Sequence, residues 1–140
     1  MENYEQLNSL ATATYEQKLK ALCDLITKEI DERMQKDYEI LYTSSMKEKG
    51  RCTLIEVQPG TLYDKLTMKD YGSGCYVKYF VHKPTGRILG AAGWDAKNFN
   101  REYGTLDTIN EWYWGGYDAV SKNGKDTLVP KKDRLNYKGR

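Results

Sequence analysis

Residues 75–106, CYVKYFVHKPTGRILGAAGWDAKNFNREYGTL, decide how the rest of the chain folds. Residues 75–82 and 87–92 are rich in β-branched and aromatic side chains, which are typical of strands. The residues between them, Lys83-Pro84-Thr85-Gly86, form a turn signal, because proline presets φ and glycine accepts the left-handed conformation. The stretch therefore predicts an antiparallel hairpin.

The hairpin has two unlike faces. Pairing of the two strand ends, His82 with Arg87, predicts these facing residues: Tyr79 with Gly90, Phe80 with Leu89, and Val81 with Ile88. We expect the face with the valine and isoleucine to lie in the core. The other face mixes aromatic rings and a lysine with small residues, which would let a flat ligand ring approach the sheet. A bulge at Gly86 would shift this register by one residue.

A long amphipathic helix is predicted before the hairpin. Thr14 and Gln17 have the spacing of a capping box, in which each side chain satisfies a backbone donor of the other residue. Apolar residues then recur at three- and four-residue steps from Tyr15 to Met34, which indicates one apolar stripe along about six turns. The opposite face carries acidic and basic residues, as solvated helix surfaces do.

The remaining segments predict further strands and a short helix. Three strand-like stretches precede the hairpin, at residues 37–43, 51–57 and 61–68, whereas residues 93–104 have the composition of a loop. A short helix is expected at residues 108–113, capped by Asp107 or Thr108. The predicted fold class is α+β, with the N-terminal helix packed on a twisted antiparallel sheet of about five strands. Residues 1–120 would form a single domain, and residues 121–140 a basic C-terminal tail.

Composition limits the functions that the chain can have. With 140 residues, 39% hydrophobic content and a mean hydropathy of −0.79, it can build one thin core, or a core that another copy completes. A net charge of +2 argues against a nucleic-acid binder, because binding of nucleic acid needs many phosphate contacts. The chain has neither a signal-peptide pattern nor an apolar run of membrane length, and its cysteines are few. We expect a soluble intracellular protein that forms a homo-oligomer through its long helix.

Neither a metal site nor a catalytic centre is predicted. The soft metal ligands are Cys23, Cys52, Cys75 and His82, and no pair has the close spacing of zinc sites. His82 is the single histidine, so acid–base or nucleophilic catalysis would need partners that sequence distance does not reveal. Gly72-Ser73-Gly74 is too short for a phosphate-binding loop. We therefore expect no catalytic residue, no metal ion and no cofactor.

Side chains suited to binding a nucleotide are concentrated around the second half of the hairpin. A nucleotide needs an aromatic platform for its base, a forked cation for phosphate, and amides for the ribose and base edges. The residues of these types are Phe80, Trp94, Lys97, Asn98, Asn100, Arg101 and Tyr103. Phe80 and Trp94 could instead belong to the core. Arg101, in a predicted loop that contains glycine, is less easily explained as a structural residue.

Residues 62–106 resemble a type of small bacteriophage protein. The matching elements are Tyr63-Asp64-Lys65-Leu66, Phe80-Val81, Thr85-Gly86, Ala91-Ala92, Trp94, Ala96, Arg101 and Gly104-Thr105-Leu106. This type is similar to the Thoeris anti-defence sponges, phage proteins that bind cyclic ADP-ribose signals made by host TIR-domain enzymes. In the phage pattern the arginine and the glycine are adjacent, whereas here Glu102 and Tyr103 separate them.

The resemblance implies a phage counter-defence protein in the cytoplasm of the infected bacterial host. Such a protein would bind and sequester a cyclic nucleotide or ADP-ribose-type signal without hydrolysing it. Its partner would be this small molecule, not a membrane. The main alternative is a host-takeover protein that binds and inhibits a bacterial protein through its helix or its Trp-rich segment. An enzyme that acts on nucleotides is the third possibility.

Overall fold

The computed structural model describes residues 13–37, 54–70 and 74–135 of the chain. Helix α1 (Tyr15–Asp37) precedes a five-stranded antiparallel sheet, and a small two-stranded sheet follows. The strands of the large sheet lie side by side in chain order: β1 (Leu54–Gln58), β2 (Tyr63–Asp70), β3 (Gly74–His82), β4 (Arg87–Ala91) and β5 (Lys97–Thr105). The predicted α+β class, with a long helix and a five-stranded antiparallel sheet, is confirmed.

The hairpin formed by β3 and β4 has the predicted register. The recorded pairs are Tyr79 with Gly90, Phe80 with Leu89, and Val81 with Ile88. Gly86 closes the turn with a φ of 73°, a backbone conformation that disfavours a Cβ atom. Its N–H group donates to the carbonyl of His82 at 2.7 Å. The proline–glycine turn signal therefore identified both the turn and the pairing that follows from it.

Helix α1 begins with the predicted capping box and packs its apolar stripe into the core. The N–H of Thr14 donates to Oε1 of Gln17 at 3.0 Å, and the N–H of Gln17 donates to Oγ1 of Thr14 at 3.3 Å. The buried stripe of the helix consists of Leu19, Leu22, Ile26 and Ile30. It shares one hydrophobic cluster with the predicted core face of the hairpin, which contributes Val81 and Ile88. No helix in the described part of the chain has the length and apolar content to cross a membrane.

Of residues 93–104, which the sequence predicts not to be regular structure throughout, residues 93–96 lie outside the strands as expected, but residues 97–104 belong to a strand, so the loop prediction is wrong there. Strand β5 pairs with β4, and its register shifts twice, between Arg87 and Leu89 and again between Leu89 and Gly90. Register shifts break the alternation of apolar and polar residues by which a strand is recognised in a sequence. Because the segment is polar, its composition does not indicate a strand. Its backbone nevertheless completes the hydrogen bonding of β4.

The Trp-rich segment forms less helix than predicted. A single 3₁₀ turn, Ile109–Glu111, leads into the two-residue strand β6 (Trp112–Tyr113), which pairs with β7 (Val120–Ser121). The hydroxyl of Thr108 does not cap this turn, because it bonds to the backbone of Thr105 instead. Both tryptophans of this segment, Trp112 and Trp114, are buried in the core. The burial of these rings determines the local backbone more strongly than helical propensity does.

Two further predictions concern the ends of the sheet. The predicted strand at residues 37–43 lies outside the described residues, apart from Asp37, which ends α1.

The predicted tail is held against the sheet over its described part. The carbonyl of Thr127 accepts from the N–H of Glu102 at 2.9 Å, and the N–H of Val129 donates to the carbonyl of Asn100 at 2.8 Å. Residues 127–129 therefore continue the sheet beyond β5 and are not a loosely held arm.

Candidate functional site

Two clefts that share no lining residue open on the large sheet. The larger, about 440 Å³, is called here the tyrosine cleft, and its aromatic and polar lining consists of Tyr76, Lys78, Asn98, Arg101, Tyr103, Tyr117, Asp118 and Thr127. The smaller, about 350 Å³, is called the lysine cleft, and it is lined by residues 58–62 with Tyr63, Lys65, Phe80, Asp95 and Lys97. Each cleft brings together side chains from separate strands.

The predicted site residues are divided between these clefts. Asn98, Arg101 and Tyr103 line the tyrosine cleft. Phe80 and Lys97 line the lysine cleft instead. Successive side chains of a strand point to opposite faces of a sheet, so neighbours such as Lys97 and Asn98 are separated once they lie in β5. A prediction that treated this segment as one loop could not make that separation.

The other two predicted residues line neither cleft. The side chain of Trp94 is 46% exposed, and Nζ of Lys65 lies 4.6 Å from the centre of its ring. Asn100 is exposed, and its carbonyl accepts the hydrogen bond from Val129. The seven predicted residues therefore do not form a single site.

Phe80 is placed where it cannot stack on a ligand base. Its side chain is 2% exposed, and the ammonium groups of Lys65 and Lys97 lie 6.0 Å and 5.0 Å from the centre of its ring. A stacking platform must offer a ring face to solvent. Phe80 is instead a buried ring that supports two cations.

Lys78 reaches the tyrosine cleft because of a bulge in β3. Leu66 pairs with Tyr79 and Thr67 pairs with Val77, so Lys78 is the extra residue between these pairs. Its side chain is buried, and its ammonium group donates to the carbonyl of Tyr117 at 2.6 Å. Burial lowers the pKa of Lys78, and the nearby carboxylate of Asp118 opposes this shift. Sequence reasoning missed this residue, since nothing local indicates a bulge that depends on pairing with β2.

Arg101 is the second cation of the tyrosine cleft. Its side chain is exposed, and Nη1 donates to Oγ1 of Thr127 at 2.8 Å. Within the described residues it forms no ion pair with a carboxylate. The contact with Thr127 orients the guanidinium group without neutralising its charge. Arg101 can therefore attract an anion that enters the cleft.

Three tyrosines surround these cations at different depths. Tyr103 is buried, and its ring packs edge-to-face against Tyr79 at 5.3 Å and against Trp112 at 5.9 Å. Burial raises the pKa of Tyr103 to about 12, so its phenol is neutral at physiological pH. Tyr117 is 85% exposed and Tyr76 is also exposed, so both offer ring surface to a ligand. Tyr76 and Tyr117 were not among the predicted site residues.

Within the described residues, neither cleft holds a group of metal-ligating side chains or the single histidine. That part of the chain contains no group of three His, Cys, Asp or Glu side chains that could hold a metal ion. His82 lines neither cleft: its Nδ1 lies 2.7 Å from Oγ1 of Thr85 in the hairpin turn, and its ring packs 5.0 Å from that of Tyr63.

No family model, curated protein or solved structure matches the chain. The assignment of a function therefore rests on the geometry of the clefts and on the sequence.

Proposed function

We propose that the protein binds a nucleotide signal of the ADP-ribose type in the tyrosine cleft and sequesters it without changing it chemically. The observation that carries this proposal is the meeting of Lys78, Arg101 and three tyrosines around a space of about 440 Å³. A volume of this size is within the range of pockets that hold small ligands. Lysine and arginine supply charge for phosphates, and exposed rings supply stacking surface for a base.

The two cations have complementary roles in this proposal. Arg101 presents a planar fork that matches two phosphate oxygens at once, whereas Lys78 supplies a compact charge from the floor of the cleft. An ammonium group has three donors, and the carbonyls of Gly116 and Tyr117 engage two of them, at 3.5 Å and 2.6 Å. The third donor can reach a phosphate oxygen. A pyrophosphate would therefore lie between Lys78 and Arg101.

The remaining lining suits the other parts of such a ligand. The exposed ring of Tyr117 can stack against a base, and Asn98 can hydrogen-bond to its edge. Asp118 is the single carboxylate among the described lining residues of the cleft, and it can accept hydrogen bonds from ribose hydroxyls. One carboxylate beside two cations and several phenols is suited to binding a ligand by charge and hydrogen bonds. We therefore assign no catalytic role, and we retain the counter-defence function and the host cytoplasm that the resemblance implies.

Recovery of the bound ligand tests this proposal. The protein is incubated with cyclic ADP-ribose, ADP-ribose or ADP, separated from free ligand and heat-denatured, and the released molecule is identified by mass spectrometry. We expect at least one of these ligands to be retained and released intact. Release of an altered ligand would instead show an enzyme. Retention of none of them would contradict the proposal and favour a protein that inhibits a bacterial partner.

Substitution of Arg101 tests the site itself. Loss of a charge-assisted contact costs about 1.5–3 kcal/mol, so Arg101→Ala should weaken binding by roughly 10- to 150-fold in calorimetry. Arg101→Lys should recover little, because an ammonium group lacks the fork. Lys125→Ala removes the same charge from an exposed residue outside both clefts and should bind like the parent. Parental affinity in Arg101→Ala would show that the ligand binds elsewhere.

A further inference from the structure

We propose that the lysine cleft is a second and separate binding site, which takes the dianion of inorganic phosphate or of a phosphate monoester. The lysine cleft and the tyrosine cleft have no lining residue in common, so this proposal does not depend on the function proposed above. Its cations are Lys65 and Lys97, and its only lining carboxylate within the described residues is Asp95. The arrangement of these three groups carries the proposal.

The two lysines converge on one buried ring. Their ammonium groups lie 6.0 Å and 5.0 Å from the centre of the Phe80 ring, and Nζ of Lys97 also lies 4.7 Å from the centre of the Tyr63 ring. Ring faces attract cations without using up the hydrogen-bond donors of an ammonium group. Lys97 forms no ion pair with a carboxylate in the described residues. The cleft thus concentrates positive charge that keeps donors for an incoming anion.

The chemistry of this pair favours a compact dianion over a nucleotide base. Lysine ammonium groups act as point charges and have no planar fork, so they suit the tetrahedral array of oxygens in a phosphate group. A base would need a well-exposed ring, but Phe80 is buried. The ring of Tyr63 is half-buried, with the rings of His82 and Phe99 at 5.0 Å and 6.3 Å. A phosphate can instead bind both ammonium groups at the mouth of the cleft.

Asp95 shows where such an anion would bind. Its Oδ1 lies 2.7 Å from Nζ of Lys65, while the Asp95 side chain is 86% exposed. The Lys65 side chain is only 14% exposed, so the ammonium group is held in place while the carboxylate stays open to solvent. A dianion that contacts both lysines can therefore displace this carboxylate. Asp95 would then compete with the ligand. This role predicts that removal of its charge strengthens binding, which a purely structural ion pair does not predict.

Nuclear magnetic resonance titration of the whole chain tests the site. Sodium phosphate is added at pH 7.5 in place of sodium chloride at constant ionic strength, and the amide signals of Tyr63 and Lys97 are followed. We expect saturable shifts at these residues. Asp95→Asn should tighten binding by roughly two- to fivefold, and Lys97→Gln should weaken it by roughly fivefold or more. Lys125→Gln is the matched control for the lost charge and should titrate like the parent.

Methyl phosphate identifies the source of the phosphate group. Binding as tight as that of inorganic phosphate would point to a phosphate monoester, and weaker binding would point to the free ion. Absence of saturable shifts at Tyr63 and Lys97 with either probe would overturn the proposal, as would unchanged or weaker binding in Asp95→Asn. Arg101→Ala should leave the phosphate titration unchanged, which keeps a failure of this site distinct from a failure of the nucleotide site. Amide spectra of the free variants establish that each one is folded.

Discussion

The hydroxyl of Tyr15 joins the start of helix α1 to the sheet, and its removal should measurably destabilise the fold. It donates at 2.7 Å to Oδ2 of Asp64, a carboxylate on β2 that is 3% exposed. Burial and the adjacent carboxylate of Asp64 both raise the pKa of Tyr15, so the phenol stays protonated at neutral pH. We therefore expect Tyr15→Phe to lower the free energy of unfolding.

The size of the destabilisation depends on the contacts that the Asp64 carboxylate keeps after the substitution. A hydrogen bond to a charged group contributes about 1.5–3 kcal/mol. After Tyr15→Phe the carboxylate still accepts from the N–H of Gly60 at 3.3 Å and faces Nζ of Lys83 at 3.5 Å. These contacts limit the loss, so we expect about 1–2 kcal/mol, or a fall in Tm of roughly 3–7 °C.

Tyr79→Phe is the matched control, because it also removes one phenolic hydroxyl, from a tyrosine that makes no hydrogen bond to a charged group. Tyr79 is fully buried, and among the described residues only the backbone N–H of Ala119 approaches its phenolic oxygen, without the geometry of a regular hydrogen bond. Loss of a buried hydroxyl whose only hydrogen-bond contact is a poor one removes a desolvation penalty that this contact compensates only in part. Tyr79→Phe should therefore be neutral or more stable than the parent by up to about 1 kcal/mol.

Urea denaturation followed by tryptophan fluorescence measures both variants under the same conditions. The midpoint should fall for Tyr15→Phe and stay level or rise for Tyr79→Phe, with equal slopes for both. Equal destabilisation of the two variants would refute this account of the hydrogen bond. An unchanged midpoint in Tyr15→Phe would show that the Asp64 contact contributes nothing net to stability.

Three further predictions concern the core, the pH dependence and the assembly. Trp114 is fully buried and its indole N–H donates to the carbonyl of Ile109 at 2.9 Å, so Trp114→Ala should cost about 3–5 kcal/mol in urea denaturation. Burial lowers the pKa of His82 in the folded state, so the unfolded state takes up a proton first as the pH falls below about 6.5. The urea midpoint should therefore decrease as the pH is lowered from 7.5 to 5.5, and His82→Asn should make this decrease smaller. An equal decrease in both proteins would contradict the role of His82. Light scattering at micromolar concentration should give the mass of a homo-oligomer, and a monomer mass would contradict the assembly prediction.

The sequence predicts which residue types can bind a ligand, but it does not predict which of these residues lie together in one cleft. Asn98, Arg101 and Tyr103 were identified from their chemistry, and all three line the tyrosine cleft. Phe80 and Lys97 were identified on the same grounds, yet they lie in the lysine cleft. Residue types reveal which groups can bind a nucleotide, whereas the strand that carries them decides the face of the sheet on which each one lies. Whether either cleft binds its proposed ligand stays a prediction.

The sequence by itself determined the parts of the fold that depend on near neighbours. The capping box at Thr14, the apolar stripe of α1 and the turn at Gly86 each follow from residues a few positions apart, and the hairpin register follows from the turn. Only the tertiary structure decided that residues 97–105 form a strand and that Lys78 enters the tyrosine cleft. Both outcomes depend on register shifts between strands, which are determined by long-range pairing and have no periodic signal in a single segment.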